Sequence, residues 1–586
     1  MRTSRYAAPP ASTLSYLAFA LFLFGCKALL IARYGSAMPY WDQWPAEGED
    51  ILLPWAEQHW QWGALLHAQN EHHILPTKAL SLLLLLLNHG IWNPLLEMVA
   101  NALVLITALV LLVRGLNRQL PPAWQHGLML CTALLFSLPF AWENTLWGFQ
   151  SQFYFLCLFS LAFLSALGSA RPGSGHWWLG LACGALATVS LASGLATLVA
   201  GALLLGLRQW QGKDRSRVHQ ILIPLLLAGA AWAWHCMPVV AGPAVSIKPG
   251  LGGLCHWFVA ILSWPYPAFS LLVDAALLLL LMPLLLLHPS ATRWVRSGIP
   301  LCILFLAGRI ALPYQIPDIS MLLMLPMACL LATLPAANGR RAAWAAACGL
   351  WFLLVVDWTT LEPGAAFIIY LPLWLFVLAQ LAGLRNGDGP RWFTLALALW
   401  LAGQYLCVSE GRTFGYAASR YRDIYLIGLV ANLAVLLEWL ARRGPALTPA
   451  ARLLPLAWVL TVLAGVGIGM SHALPELERK HTHSLAQEAN VAGYLRTGDR
   501  RWLQKKPDEE IPAPTAPYLQ SLLDRPALRA MLPPEINPAN AGRQAAWVTL
   551  LLAQLQGLAW GAIGLAALLW LTSWRKAAPA ATGATD

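Results

Sequence analysis

The sequence predicts an all-α polytopic membrane protein with about 16 transmembrane helices. Of its 586 residues, 58% are hydrophobic and 11% are charged, and the mean hydropathy is +0.58. A soluble globular domain carries roughly 25% charged residues. Many Leu- and Ala-rich stretches reach the roughly 17–25 residues that a helix needs to cross a bilayer. The alternating ten-residue segments of a membrane β-barrel are absent from the sequence, so the spans are predicted to be helices.

The basic charge of the chain indicates membrane topology rather than nucleic-acid binding. The formal net charge is +11, but Lys and Arg concentrate in short loops between apolar runs, where the positive-inside rule places them. The ten cysteines are scattered without a CxxC pair, which favours small core residues over metal ligands or disulfides. We expect a bacterial inner-membrane protein with both termini in the cytoplasm.

The first loop, residues 34–93, is predicted to face the periplasm because a basic amino terminus precedes the first span. It contains an apolar stretch at 74–88 that is long enough to be mistaken for a span. Counting it as one would place Arg114 and Arg118 outside, against the charge rule. The sequence therefore predicts a helix lying at the outer surface, and a second such helix near 256–265.

A change in composition divides the chain into three predicted regions. Residues 1–470 form the transmembrane core. Residues 471–543 are polar and rich in Pro, Glu, Arg and Lys, which predicts a small periplasmic domain of short helices, for example over 476–495 and 516–531. Residues 544–586 hold the final span and a cytoplasmic tail.

Asp42 is the leading candidate for a catalytic group. It stands between Trp41 and Trp44 just after the first span, where partial desolvation would suit a general base. The alternative is a helix cap at the membrane interface. We expect the remaining acidic residues of this stretch to be solvated loop charges: Glu47, Glu49 and Asp50.

A second polar group lies thirty residues further on and comprises Glu71, His72, His73 and Lys78. Carboxylate and imidazole are both metal ligands, so a metal site is one interpretation. Adjacent histidines do not easily face one point, however, and the HExxH spacing is missing from the sequence. Hydrogen bonding to a sugar or phosphate is the favoured interpretation, with Lys78 as a point charge.

Two further groups are predicted to face outside. Glu143 and Asn144 end one span, and the amides of Gln150 and Gln152 enter the next, where they need polar partners. The positive-inside rule does not explain the outside arginines, so an anionic partner such as a lipid phosphate is predicted for them. Pairing with Glu410 and Asp423 is the alternative. These arginines are Arg309, Arg412, Arg420 and Arg422.

Four short motifs carry a family resemblance that extends over nearly the whole chain. They are Trp41-Asp42-Gln43-Trp44, Asn70-Glu71-His72-His73-Ile74-Leu75, Trp147-Gly148-Phe149-Gln150-Ser151-Gln152-Phe153 and Ala418-Ser419-Arg420-Tyr421. Together with the loop layout, they resemble the GT-C superfamily of integral-membrane glycosyltransferases. In layout the chain is similar to aminoarabinose transferases and protein O-mannosyltransferases.

The resemblance implies inverting transfer from a polyprenyl-phosphate sugar to a cell-envelope glycan or lipid. Asp42 matches the family's catalytic acidic residue of the first loop. The paired acidic motif of the family appears here as Asp42-Gln43, so Glu71 becomes the candidate for the second carboxylate. The donor phosphate is assigned to Lys78, Arg412 and Arg420, with Tyr421 beside them. No metal ligand is assigned, and a divalent cation stays open because some relatives use one.

Two other classes of protein compete with this interpretation. A transporter or lipid flippase would place ionisable residues near span midpoints and show internal repeats; Asp274 is the exception among few such charges. An O-antigen ligase or polymerase would share the lipid-linked donor and use a long late outside loop. The polar stretch at 471–543 keeps that alternative open.

Overall fold

The computed structural model describes residues 11–212, 216–238, 251–266, 363–381, 389–411, 418–443 and 449–575. Within these ranges the only strands form one antiparallel hairpin, β1 (Ala68–Gln69) and β2 (His72–His73). Nine helices of the described part are long and apolar enough to cross a membrane. The all-α membrane architecture is thereby confirmed. The total of about 16 spans and the GT-C-like arrangement stay predictions.

The helices of the amino-terminal part begin after the capping residue Ser12, whose side chain accepts a hydrogen bond from the backbone of Ser15. The first loop holds a π-helix, Trp44–Leu52. The α-helices are α1 (Thr13–Tyr34), α2 (Leu53–Ala56), α3 (Leu75–Leu87), α4 (Pro94–Asn117), α5 (Pro122–Ser137), α6 (Trp142–Leu146), α7 (Ser151–Ser169), α8 (Gly175–Thr188), α9 (Leu195–Trp210) and α10 (Arg217–His235).

The later part of the chain is also helical. Pro526 separates two helices where the sequence predicts one over 516–531, because proline removes a backbone donor. The helices are α11 (Leu251–Ser263), α12 (Pro363–Leu381), α13 (Gly389–Gly411), α14 (Arg422–Arg443), α15 (Pro449–Thr497), α16 (Ala516–Leu523), α17 (Pro526–Met531), α18 (Ala546–Ala553) and α19 (Leu555–Arg575).

The chain divides into two compact units. One is drawn from Met1–Gly206, Ser216–Gly242 and His472–Asp586, and the other from Leu207–Arg215 and Pro243–Ser471. In the first unit α1 packs against α4 and α19, and α4 packs against α7. In the second unit α12 packs against α11 and α14. The acidic and imidazole candidates therefore belong to the first unit, which is the one that positions the candidate site.

The predicted surface helix of the first loop is α3. Its 13 residues span roughly 20 Å, at about 1.5 Å per residue, whereas the hydrocarbon core of a bilayer is about 30 Å thick. A helix of this length does not cross as a single span. Pro76 lies in its first turn, where the missing backbone donor is tolerated.

The predicted boundary at residue 471 does not interrupt the helix. A single helix, α15, continues through Pro475 as far as Thr497. Ala473 and Leu477 are buried in the first unit, and Leu477 packs with Ile31 of α1 and Met98 of α4. Tertiary packing thus carries the helix past a proline that favours a break.

The late polar segment and the first loop share one hydrophobic core. Trp44 and Trp92 meet edge to face, with ring centroids 5.6 Å apart, and both are buried. From the late segment the core takes Val491, Tyr494, Leu503, Ile511, Ala513, Leu519, Leu522, Leu523, Leu528, Met531, Leu532 and Ile536. The segment predicted as a small domain is therefore packed onto the first loop along its length.

Replacing Trp44 by alanine should destabilise this shared core. Trp44 is completely buried, and its Nε1 donates to the Pro512 carbonyl at 2.9 Å, so Trp44→Ala is expected to lower the free energy of unfolding by about 3–5 kcal/mol. The matched control is Trp62→Ala, because Trp62 is 76% exposed and its loss should change stability by only about 0.5 kcal/mol. Denaturant unfolding in detergent measures both, and equal effects would contradict the shared core.

Candidate functional site

The candidate site is the turn of residues 40–43 that follows α1. The Gln43 backbone donates to the Tyr40 carbonyl at 3.1 Å, and the Asp42 carbonyl accepts from Ala46 at 3.0 Å as the π-helix begins. Trp41 has a φ of 46°, which lies in the left-handed region that residues other than glycine rarely adopt. The Asp42 side chain is partly exposed. The turn thus presents a carboxylate on a backbone of unusual conformation.

Tyr40 is enclosed by groups from two other segments. The Trp147 ring lies edge-on at 5.0 Å, and its Nε1 donates to the Tyr40 carbonyl at 2.9 Å. The Lys480 Nζ lies 4.0 Å from the centre of the Tyr40 ring, a cation–π geometry. Burial raises the pKa of Tyr40 to about 12, and the Glu143 carboxylate adds to the effect. The phenol is therefore neutral at physiological pH.

The late segment holds the other side of the same turn. The Pro512 carbonyl accepts from the Trp41 backbone at 2.7 Å and from the Trp44 indole at 2.9 Å. Gln487 and Asn490 of α15 in turn donate to the carbonyls of residues 509 and 510, at 2.6 and 3.2 Å. The backbone that covers the turn is thus anchored to a long helix.

Behind the turn lies a buried hydrogen-bond network that was not predicted from the sequence. The Gln43 Nε2 donates to Glu47 at 3.1 Å and to Glu97 at 2.8 Å. Glu97 also accepts from the Ser81 hydroxyl at 2.9 Å and the Trp92 indole at 3.1 Å. Glu47 is completely buried, so the expectation that it is a solvated loop charge is wrong.

Burial controls the protonation of this network. It raises the pKa of Glu47 well above its ordinary value, and the nearby Glu97 carboxylate raises that pKa further. Gly148 makes the close packing possible, because a Cβ at this position would overlap the Glu97 carboxylate. The Gly148 carbonyl is held by Asn101 Nδ2 at 2.6 Å. The surroundings of Glu47 therefore favour its protonated form.

Two signals in the sequence point to this network. Glu97 is an acidic residue in the first turn of an apolar span, and ionisable residues in such spans are by default functional candidates. Gln43 and Glu47 are four residues apart, which puts them on one face of a helix. The pairing of Glu97 with the first loop has no local signal, because 54 residues separate Gln43 from Glu97.

Lys78 is not available to a ligand in this structure. Its side chain is fully buried and forms an ion pair with Asp50, and it also donates to the carbonyls of Ala64 at 3.3 Å and His67 at 2.9 Å. An ammonium group has three donors, and these contacts use all of them. Lys78 thus fixes the first loop, and we do not carry it into the proposed phosphate site.

The predicted histidine group lies on the β-hairpin. His72 and Glu71 form an ion-pair contact of 3.4 Å. Both ring nitrogens of His73 lie close to backbone carbonyls, at 2.9 and 3.2 Å. Groups of three or more side chains that are able to hold a metal are absent from the part of the chain that the structure describes. These contacts stabilise the hairpin.

The polar residues around α6 and α7 are buried to different degrees. Glu143 is half-buried and acts electrostatically on Tyr40, while Asn144 is completely buried. Gln150 and Gln152 are buried and pair with each other, Gln152 Nε2 donating to Gln150 Oε1 at 3.4 Å. The two amides thus partner one another at the start of α7.

The described structure does not test the arginine candidates as phosphate ligands. Arg309 and Arg412 lie outside the described residues, as does Asp274. Arg420 belongs to the second unit, where its guanidinium lies 5.5 Å from the ring centre of the buried Tyr421. The role of these residues in binding phosphate stays a prediction.

Replacing Glu47 by glutamine should flatten the pH dependence of stability. Because its pKa is raised in the folded state, the folded protein binds the proton more tightly than the unfolded chain does. The free energy of unfolding therefore falls as pH rises from the ordinary pKa through the raised one. Glutamine does not titrate, so Glu47→Gln should lose less thermal stability than wild type as the pH rises from about 4.5 through the raised pKa of Glu47.

Thermal unfolding in detergent across this range measures the difference. Glu535→Gln is the control, since Glu535 is exposed. If thermal stability depends on pH in the same way for wild type and Glu47→Gln, the raised pKa of Glu47 is contradicted.

Comparison of the chain with protein-family models, with curated protein sequences and with solved structures finds no match in any of the three. The resemblance to the GT-C superfamily therefore rests on the four motifs quoted above. The proposed function therefore depends on the residues of the site itself.

Proposed function

We propose that the chain is a membrane glycosyltransferase of GT-C type. It moves a sugar from a polyprenyl-phosphate donor to a hydroxyl of a cell-envelope acceptor, in a bacterial inner membrane with the site facing the periplasm. Asp42 is the general base. The nine candidate membrane spans support the part of the proposal that concerns a lipid-linked donor.

One observation carries the proposal: a partly exposed carboxylate stands on a fixed turn between aromatic rings. Asp42 is flanked by Trp41, whose side chain is 37% exposed, and lies near the enclosed ring of Tyr40. Aromatic faces pack against the apolar face of a sugar ring, and a carboxylate accepts the proton of a hydroxyl. The two features together suit a hydroxyl acceptor.

The proposed step is a single inverting displacement. The acceptor oxygen forms a bond to the anomeric carbon of the donor sugar, and its proton passes to the Asp42 carboxylate. The bond between that carbon and the phosphate oxygen breaks, and the electron pair leaves with the polyprenyl phosphate. The leaving group is already anionic, so it needs cationic stabilisation rather than an acid. Arg412 and Arg420 are the proposed cations.

The late segment has a defined place in this proposal. Its backbone at Pro512 binds the Trp41 and Trp44 side of the turn, and its core is continuous with that of the first loop. We propose that it forms one wall of the acceptor site. Glu71 is kept as a candidate second carboxylate, with its partner His72 on the same hairpin.

Replacing Asp42 by asparagine tests the proposal. Purified protein would be assayed for sugar transfer from a set of synthetic polyprenyl-phosphate sugars to envelope lipids and glycans. Loss of a general base should lower kcat by about 10²–10⁴-fold, with donor binding unchanged, because asparagine keeps the shape of the side chain. Asp508→Asn, an exposed aspartate of the late segment, should leave turnover unaltered.

Three results would count against the proposal. Equal turnover in wild type and Asp42→Asn would remove Asp42 as the base. Binding of lipid-linked sugars without transfer to any acceptor, together with their movement across vesicles, would favour a flippase. Polymerisation of the donor glycan would favour a ligase or polymerase.

A further inference from the structure

The Gln43 side chain uses both of its donor hydrogens on two acids and its oxygen on the turn. Its Oε1 accepts from the Tyr40 backbone at 3.1 Å. Its Nε2 has two hydrogens, which match the two carboxyl groups of Glu47 at 3.1 Å and Glu97 at 2.8 Å. The side chain is buried, so losing any of these bonds would leave a desolvated polar group.

The two acids are themselves fixed to the helices around the turn. Glu97 lies in α4 and accepts from Ser81 of α3 and from the Trp92 indole, at 2.9 and 3.1 Å. These contacts satisfy the oxygen atoms of the Glu97 carboxyl group, which burial separates from water. Gln43 is thereby tied to the rigid part of the first unit.

The turn needs these hydrogen bonds because its backbone conformation is unfavourable by itself. The left-handed backbone of Trp41 costs on the order of 1–3 kcal/mol and persists only where the surroundings hold it. Trp41 is held on one side by the Pro512 carbonyl at 2.7 Å. Gln43 holds the other side through Tyr40. Asp42 lies between these two anchors.

We infer that Gln43 is a positioning residue, whose amide, clamped between Glu47 and Glu97, fixes the turn that aims the Asp42 carboxylate. The inference deepens the proposed function and rests on it for the identity of Asp42 as the base. The clamp itself is a property of the fold and is measurable without any substrate.

The test compares Gln43→Leu with wild type by hydrogen exchange and by kinetics. The variant keeps the volume of the side chain but removes the amide, so the backbone amides of residues 41–44 and 46 should exchange about tenfold faster, as loss of roughly 1.4 kcal/mol implies. Misplacement of the base should lower kcat by about 10–100-fold, while the KM for the donor stays within about twofold of wild type, since uniform binding is untouched.

Two further variants keep the test decisive. Gln520→Leu is the matched control, because the Gln520 amide also contacts an acid four residues on, Asp524, at 3.4 Å, but at an exposed place; exchange in the turn and kcat should not change. Ser81→Ala removes one donor to Glu97 without changing any residue of the turn. It should also speed exchange at residues 41–44 and 46, by about threefold, so the test does not depend on Gln43→Leu alone.

The outcomes separate the inference from the proposed function. Unchanged exchange in both Gln43→Leu and Ser81→Ala overturns the clamp, whatever the activity. Faster exchange in the turn with kcat and KM unaltered overturns the positioning role. Faster exchange in a protein whose wild type transfers no sugar from any donor supports the clamp and overturns the proposed function.

Discussion

The first unit depends on the burial of two carboxyl groups beside one amide. A buried acid is stable only when it is neutral or richly hydrogen-bonded. Here Glu97 accepts hydrogen bonds from Gln43, Ser81 and Trp92, and Glu47 accepts one from Gln43. These donors come from the turn, from α3 and from the segment just before α4. The requirement to satisfy one buried carboxyl group therefore fixes these segments relative to one another, and with them the turn that carries Asp42.

The same logic accounts for the late segment. The first loop has apolar side chains to bury and a strained turn to stabilise. The late segment supplies a shared hydrophobic core for the first and the Pro512 carbonyl, a backbone acceptor, for the second. Because Trp44 contributes to that core and also donates to Pro512, hydrophobic packing and hydrogen bonding act at one place. A wall built in this way is a fixed part of the site, unlike a lid, which is drawn from the least stable parts of a fold.

Local signals in the sequence predict the helices well and the site only in part. The apolar stretch at 74–88 became α3, because its leucines decide the structure by themselves. The helix continues past the boundary expected at residue 471, where the chain passes from one compact unit to the other. The packing of Leu477 against α1 and α4 is a long-range effect that local signals do not show. Asp42 is predicted as a site residue from its neighbours Trp41 and Trp44, and that assignment stays a prediction. The contact between Glu97 and Gln43 was not predicted, since only the folded chain brings the two together.

Charges are scarce in this chain, and their structural uses limit which of them serve a ligand. Lys78 is the clearest case: a lysine near acids looks like a phosphate ligand in the sequence, yet its buried ammonium group holds Asp50 and two carbonyls. If the Lys78 ammonium group moved to bind a phosphate, Asp50 would lose this ion-pair partner and the buried position of the lysine side chain would be left unfilled. Asp42 differs because it remains partly exposed on a turn that other groups hold. A general base needs a carboxylate that a substrate can reach and that the fold holds in place.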